Sequence, residues 1–80
     1  MKKYLQNLAE EFDAARPEGG RLPASELEWG NLQTAAINLN AELLRQSGVA
    51  KADAIKLSQL IYGDRLGRLV LACILKRDRS

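Results

Sequence analysis

Eighty residues make one domain, and a chain this short buries only about 60–65% of the surface it exposes when unfolded. Apolar residues at 46% and charged residues at 28% give ordinary globular composition rather than disorder, and a net charge of +2 is too small to name a partner. Histidine is absent and cysteine occurs once, which excludes an internal disulfide, the Ser-His and Cys-His nucleophile pairs, and nearly all zinc sites.

The first element is an amphipathic helix over residues 2–16. Met1, Leu5, Leu8, Phe12 and Ala15 recur at spacings of 4, 3, 4 and 3, which is one helical face. Glu10, Glu11 and Asp13 fall on the solvent side. Adjacent carboxylates on a helix point apart, so they form a solvated face rather than an acid–base pair. Pro17 ends the helix. Residues 17–23 read PEGGRLP, a breaker cluster. Its Gly-Gly pair lacks the preceding strand and following Lys-Ser/Thr of a phosphate loop, so it is a connector.

A central helix over residues 25–47 follows. Ser25 with Glu28 three residues on is a capping box, and Gly48 is a left-handed terminator. Trp29, Leu32, Ala36, Leu39 and Leu43 form its main apolar face. Leu27, Ile37, Ala41 and Leu44 form a second stripe, roughly 80–180° away on the helical wheel. Two apolar faces on one helix imply that it is sandwiched, inside the domain or against a partner.

A third helix over residues 50–62 offers Ala50, Ala54, Leu57 and Ile61 to the core, with Leu60 beside them. Ile55 and Tyr62 lie off that face and repeat the pattern of a surplus stripe. Gly63 ends it. The last element spans residues 64–77 and contains LVLACIL, seven apolar residues in a row from Leu69 to Leu75. Such a run fits a buried strand or a buried helix. A lone strand would leave its backbone unpaired, so a helix capped by Asp64 is expected, with the last residues fraying. A helix apolar all round needs cover on every side, which three short neighbours do not supply. Cys73 sits in this run as a buried structural thiol.

Charge is unevenly placed. Residues 1–47 hold five basic and seven acidic side chains, and residues 48–80 hold seven basic and three acidic. Lys51, Lys56, Arg65, Arg68, Lys76 and Arg77 are the candidate contacts for nucleic acid or an acidic partner. A helix-turn-helix turning at Gly48 would present only Lys51, Lys56 and Gln59, with Asp53 opposing them. No aromatics interleave the basic residues for stacking on single strands. No segment reaches the ~18 apolar residues of a membrane span, and no signal-peptide core follows the N-terminal lysines. The polar face of the first helix is acidic, which anionic lipid repels.

The expectation is an all-α, four-helix domain spanning residues 1–80, with antiparallel neighbours joined by short connections. Its core is expected to hold Leu5, Leu8, Phe12, Trp29, Leu32, Ala36, Leu39, Leu43, Leu57, Ile61, Leu69, Val70 and Cys73. The expected protein is cytoplasmic, holds no cofactor or metal, and is not an enzyme. Its function is expected to be protein binding, as an adaptor, anti-activator or inhibitor and as a homodimer. Leu27, Ile37, Ala41, Leu44, Ile55 and Tyr62 are the expected interface. A small nucleic-acid-binding regulator using the basic C-terminal half is the alternative.

Overall fold

Four α-helices carry the chain: α1 (Lys2–Ala15), α2 (Glu26–Gln46), α3 (Lys51–Tyr62) and α4 (Arg65–Arg79). This computed structural model describes residues 2–79, with side chains for 3–77. Met1 and Ser80, and with them the head of the first apolar stripe and the tip of the tail, lie outside the described residues. No strand occurs among the described residues, and 69–75 are helical. The chain continues as helix to Arg79 where fraying was expected.

The start and stop of α2 follow from the residues that flank it. The Ser25 hydroxyl accepts from the Glu28 amide at 3.1 Å. The reciprocal half of the box is displaced by one residue: the Glu28 carboxylate takes the Ala24 amide at 3.2 Å and the Arg21 guanidinium at 2.7 Å. At the other end Gly48 has φ +102. Its amide donates to the Arg45 carbonyl at 3.0 Å, and the Val49 amide donates to the Leu44 carbonyl at 3.1 Å. These two bonds are a Schellman motif, which satisfies the last carbonyls of the helix and turns the chain into α3. The connector between α1 and α2 contains a short 3-10 turn, Glu18–Gly20, and packs against α4.

The core is Leu32 and Ala36 of α2 with Leu71 and Leu75 of α4, and Phe12, Ala15, Trp29 and Tyr62 pack around it. Leu8, Ala35, Ala54 and Ser58 are also buried. Here the structure departs from the periodicity. Leu43, Leu57, Ile61 and Leu69, all expected inside, are exposed. Cys73 is exposed too, not a buried thiol. Leu5, Leu39 and Val70 are half-buried.

The reason lies in how α3 meets α2. The side turned to α2 carries Ala54 and Ser58, which are 1% and 0% exposed. Small side chains let two helix axes approach closely, toward the short end of the usual 8–10 Å range. The polar atoms in that contact satisfy one another, since the Asn40 amide donates to the Ser58 hydroxyl at 2.8 Å. The large residues Leu57, Leu60 and Ile61 are thereby turned outward.

A similar argument fixes α4. Gly67, Leu71 and Leu75 recur every fourth residue and form its buried side. A β-carbon on Gly67 would overlap the Tyr62 carbonyl, so the absence of a side chain sets how closely α4 approaches the end of α3. On the opposite side of α4, Leu66, Leu69 and Cys73 are exposed. An uninterrupted apolar helix is therefore buried on one side only.

Candidate protein-binding surfaces

The six side chains expected to form an interface do not share one surface. Leu27 is 74% exposed near the start of α2. Ile37, Ala41 and Leu44 are half-buried. They lie beside Gln33 and Asn40, the α2 residues that hydrogen-bond α3 and its junction, so α3 covers much of this stripe. Ile55 is partly exposed at the rim of a polar depression, and Tyr62 packs on the core.

The basic residues divide as well. Lys51 lines that depression together with Tyr4, Asn38, Glu42 and Arg45. Lys56 is exposed on α3. On α4 the helical wheel places Arg65, Arg68 and Lys76 along one flank and Arg77 on the other.

Two apolar surfaces remain open: one takes Phe12, Leu39 and Leu43 from faces that the periodicity assigned to the core, and the other lies on a side of α4 that the periodicity did not mark. The first is a groove of about 150 Å³ lined by Phe12, Leu39, Leu43, Tyr62, Leu71 and Ile74. Leu57 and Ile61 are exposed on α3 but are not among the groove's lining residues. The second is the outer side of α4. Leu66, Leu69 and Cys73 recur there at spacings of 3 and 4. Leu66 and Leu69 are 57% and 66% exposed. Beside them lies a shallow dish of about 340 Å³, walled by Trp29, Arg65, Arg68, Leu69 and Ala72.

Electrostatics hold this second region in shape. The Arg68 guanidinium lies 5.4 Å from the Trp29 ring centroid and donates to the Glu26 carboxylate at 3.1 Å. Stacking on an aromatic face and a forked bond to a carboxylate both suit the planar guanidinium. The Arg68 bond holds the Glu26 carboxyl below its ordinary range, and Glu26 in turn raises Arg68. At this exposure the pair positions the side chains more than it stabilises the fold.

The polar depression contains the one buried carboxylate among the described residues. Glu42 is 7% exposed and accepts from Arg45 Nε at 2.8 Å and from the Gln46 amide at 3.1 Å. These two donors, Arg45 first, lower its pKa to about 2. Both neighbours lie on its own helix, so the carboxylate is occupied in holding α2. Among the described residues no three carboxylate or thiol groups gather in a manner that would hold a metal ion. No helix among them is long and apolar enough to cross a membrane.

No protein-family model, curated protein or solved structure matches the chain.

Proposed function

We propose that the chain is a non-enzymatic protein-binding module, an adaptor, anti-activator or inhibitor that acts by occupying a surface on a larger protein. The observation that carries this is the placement of its large apolar side chains. Leu57, Leu60 and Ile61 on α3, and Leu66 and Leu69 on α4, all face solvent. Contiguous apolar patches of this kind mark contact surfaces.

Size supports the reading. The accessible surface is 5627 Å², where a folded monomer of this mass exposes about 4800 Å². The excess reflects large side chains left outside the small core. α2 and α3 are taken as antiparallel neighbours: Asn40 bonds Ser58, while Gln33, earlier in α2, bonds Tyr62, later in α3. The module acts as a homodimer through the Leu43–Leu57–Leu60–Ile61 side, which leaves α4 available. A cytoplasmic setting suits an exposed single thiol.

The basic flank Arg65–Arg68–Lys76 is the observation that favours the second reading, a nucleic-acid-binding regulator. The apolar strip beside that flank weighs against it, because Leu66 and Leu69 gain nothing from a phosphate backbone.

One set of measurements tests the reading. Light scattering at micromolar concentration should give twice the chain mass. A Leu57→Glu, Leu60→Glu variant should remain helical by circular dichroism and lose self-association, while a Leu66→Glu, Leu69→Glu variant should lose stoichiometric capture of a host protein. A monomeric wild-type chain would remove the homodimer. Capture that both variants leave intact would remove the apolar surfaces as the site. Salt-sensitive binding to random duplex DNA would put the second reading in first place.

A further inference from the structure

We propose that the outer side of α4, with Trp29 at its edge, is a docking site for one amphipathic helix of a foreign protein, with leucine-type side chains on its contact face and Asp or Glu along one flank. This deepens the protein-binding reading and rests on it.

The geometry points to a helix. Leu66, Leu69 and Cys73 form a straight strip about 10 Å long on the helix surface. The described chain has no strand, so no sheet edge exists for an extended peptide to join, and an exposed apolar strip at spacings of 3 and 4 suits helix-in-groove recognition. The shallow dish between Trp29 and Leu69 gives that helix a place for one large side chain, with the small Ala72 among its lining residues. Aromatic anchors of this kind concentrate binding energy.

Charge chooses the occupant. Arg65, Arg68 and Lys76 run along the flank nearest Trp29. Arg68 is fixed by Trp29 and Glu26, whereas Arg65 and Lys76 have no ion-pair partner among the described residues. A carboxylate-bearing flank would pair with them at the rim, which sets register and speeds encounter.

A second copy of the chain is the wrong occupant. Antiparallel pairing of two α4 helices brings Arg65 beside Lys76 and Arg77 of the other copy, and parallel pairing brings Arg65 beside Arg65. Both juxtapose like charges. An anionic bilayer would meet the same exposed strip and basic flank, and the vesicle titration below separates it from the helix.

The single tryptophan makes the test direct, since Trp29 borders the dish. Two synthetic peptides about 18 residues long, without tryptophan and sharing one leucine face, would be titrated into the full chain. One carries Glu along its flank and the other Lys. The Glu peptide should shift the Trp29 emission saturably and bind about tenfold more tightly than the Lys peptide. Leu69→Glu, at a position exposed enough to leave the fold intact, should weaken it about tenfold. Alkylation of Cys73 with a bulky maleimide should block it without any substitution. Arg65→Glu should reverse the preference between the peptides.

Equal affinity for the two peptides would overturn the proposal, as would insensitivity to Leu69→Glu. A larger Trp29 response to phosphatidylserine vesicles or to random duplex DNA than to the Glu peptide would overturn it as well. If neither peptide binds while the Leu57→Glu, Leu60→Glu variant loses a captured protein, the α4 site falls and the protein-binding reading stands. If both fail, both fall.

Discussion

The side-chain amide of Gln33 donates to the backbone carbonyl of Tyr62 at 2.7 Å and reaches the carbonyl of Asp64 at 3.2 Å. One buried side chain on α2 thereby serves two carbonyls at the junction between α3 and α4. The end of α3 leaves the Tyr62 carbonyl without an intrahelical partner, whereas the Asp64 carbonyl also accepts the Arg68 amide at 3.2 Å as the first bond of α4. Leaving the Tyr62 carbonyl unpaired would cost about 1–3 kcal/mol. Gln33→Ala should lower unfolding stability by that amount in urea. Gln33→Glu should cost more, because an ionised carboxylate cannot donate and would face two carbonyl oxygens. If Glu were tolerated as well as Ala, the amide would not be the joint that holds the α3–α4 corner.

Two glycines give a matched pair. A methyl at Gly67 would overlap the Tyr62 carbonyl, while one at Gly30 meets nothing within 4 Å. Gly67→Ala should destabilise by about 1–3 kcal/mol through overpacking. Gly30 lies inside α2, where alanine is the better helix former, so Gly30→Ala should stabilise by up to about 1 kcal/mol. Thermal melts of the two variants should move in opposite directions.

Acid stability follows from Glu42. Its carboxyl has a folded pKa of about 2 against an ordinary 4.5. A carboxyl whose folded pKa is depressed contributes stability that is complete above the unfolded pKa and is lost as pH falls through the folded one. Stability should therefore decline from about pH 4.5 down to about 2. Glu26 and Glu28 are shifted in the same direction by Arg68 and Arg21 and add to the same decline. Melting temperatures of Glu42→Gln, taken over this range, should vary less with pH than those of the wild type. A parallel decline in the variant would place the acid sensitivity elsewhere.

Exposure separates the leucines. Leu32 is 0% exposed, and Leu60 is 71% exposed. Leu32→Ala should cost about 2–5 kcal/mol, whereas Leu60→Ala should stay within about 0.5 kcal/mol in the unassociated chain. A large loss at Leu60 under dilute conditions would mean that folding depends on association.

Cys73 offers a check of the rotation of α4. It is exposed, so a thiol reagent such as Ellman's should react fully with the native chain. Protection until denaturant is added would mean that the outer side of α4 is covered.

The elements were legible because their signals are local. Pro17 stops a helix by lacking an amide hydrogen, and the Ser25 cap and Gly48 fix helix ends through bonds to residues a few positions away. Rotations were not legible, because they depend on pairs far apart in the chain. The Asn40–Ser58 bond spans 18 residues and turns a polar side of α3 inward. Periodicity instead selected Leu57 and Ile61, the largest apolar residues. In α4 the run Leu69–Leu75 is apolar at every position, so periodicity holds no information about its inner side. Gly67 decides that side by the closeness of backbone it permits. The groove and the α4 strip were missed for the same reason, since a surface is defined only once the rotations are known. A signal was present in the small residues Ala54, Ser58 and Gly67, which mark where helices approach closely.

The small core has a calorimetric consequence. Among the described residues only Leu8, Leu32, Leu71 and Leu75 are buried large aliphatics, while Leu43, Leu57, Leu60 and Leu69 are already wetted in the native chain. The heat capacity of unfolding scales with the apolar area newly exposed to water. The isolated chain should therefore show an increment below the usual ~12–15 cal/mol/K per residue, and a broad, shallow stability curve. Covering the outer leucines with a bound helix would add to that increment and steepen the curve.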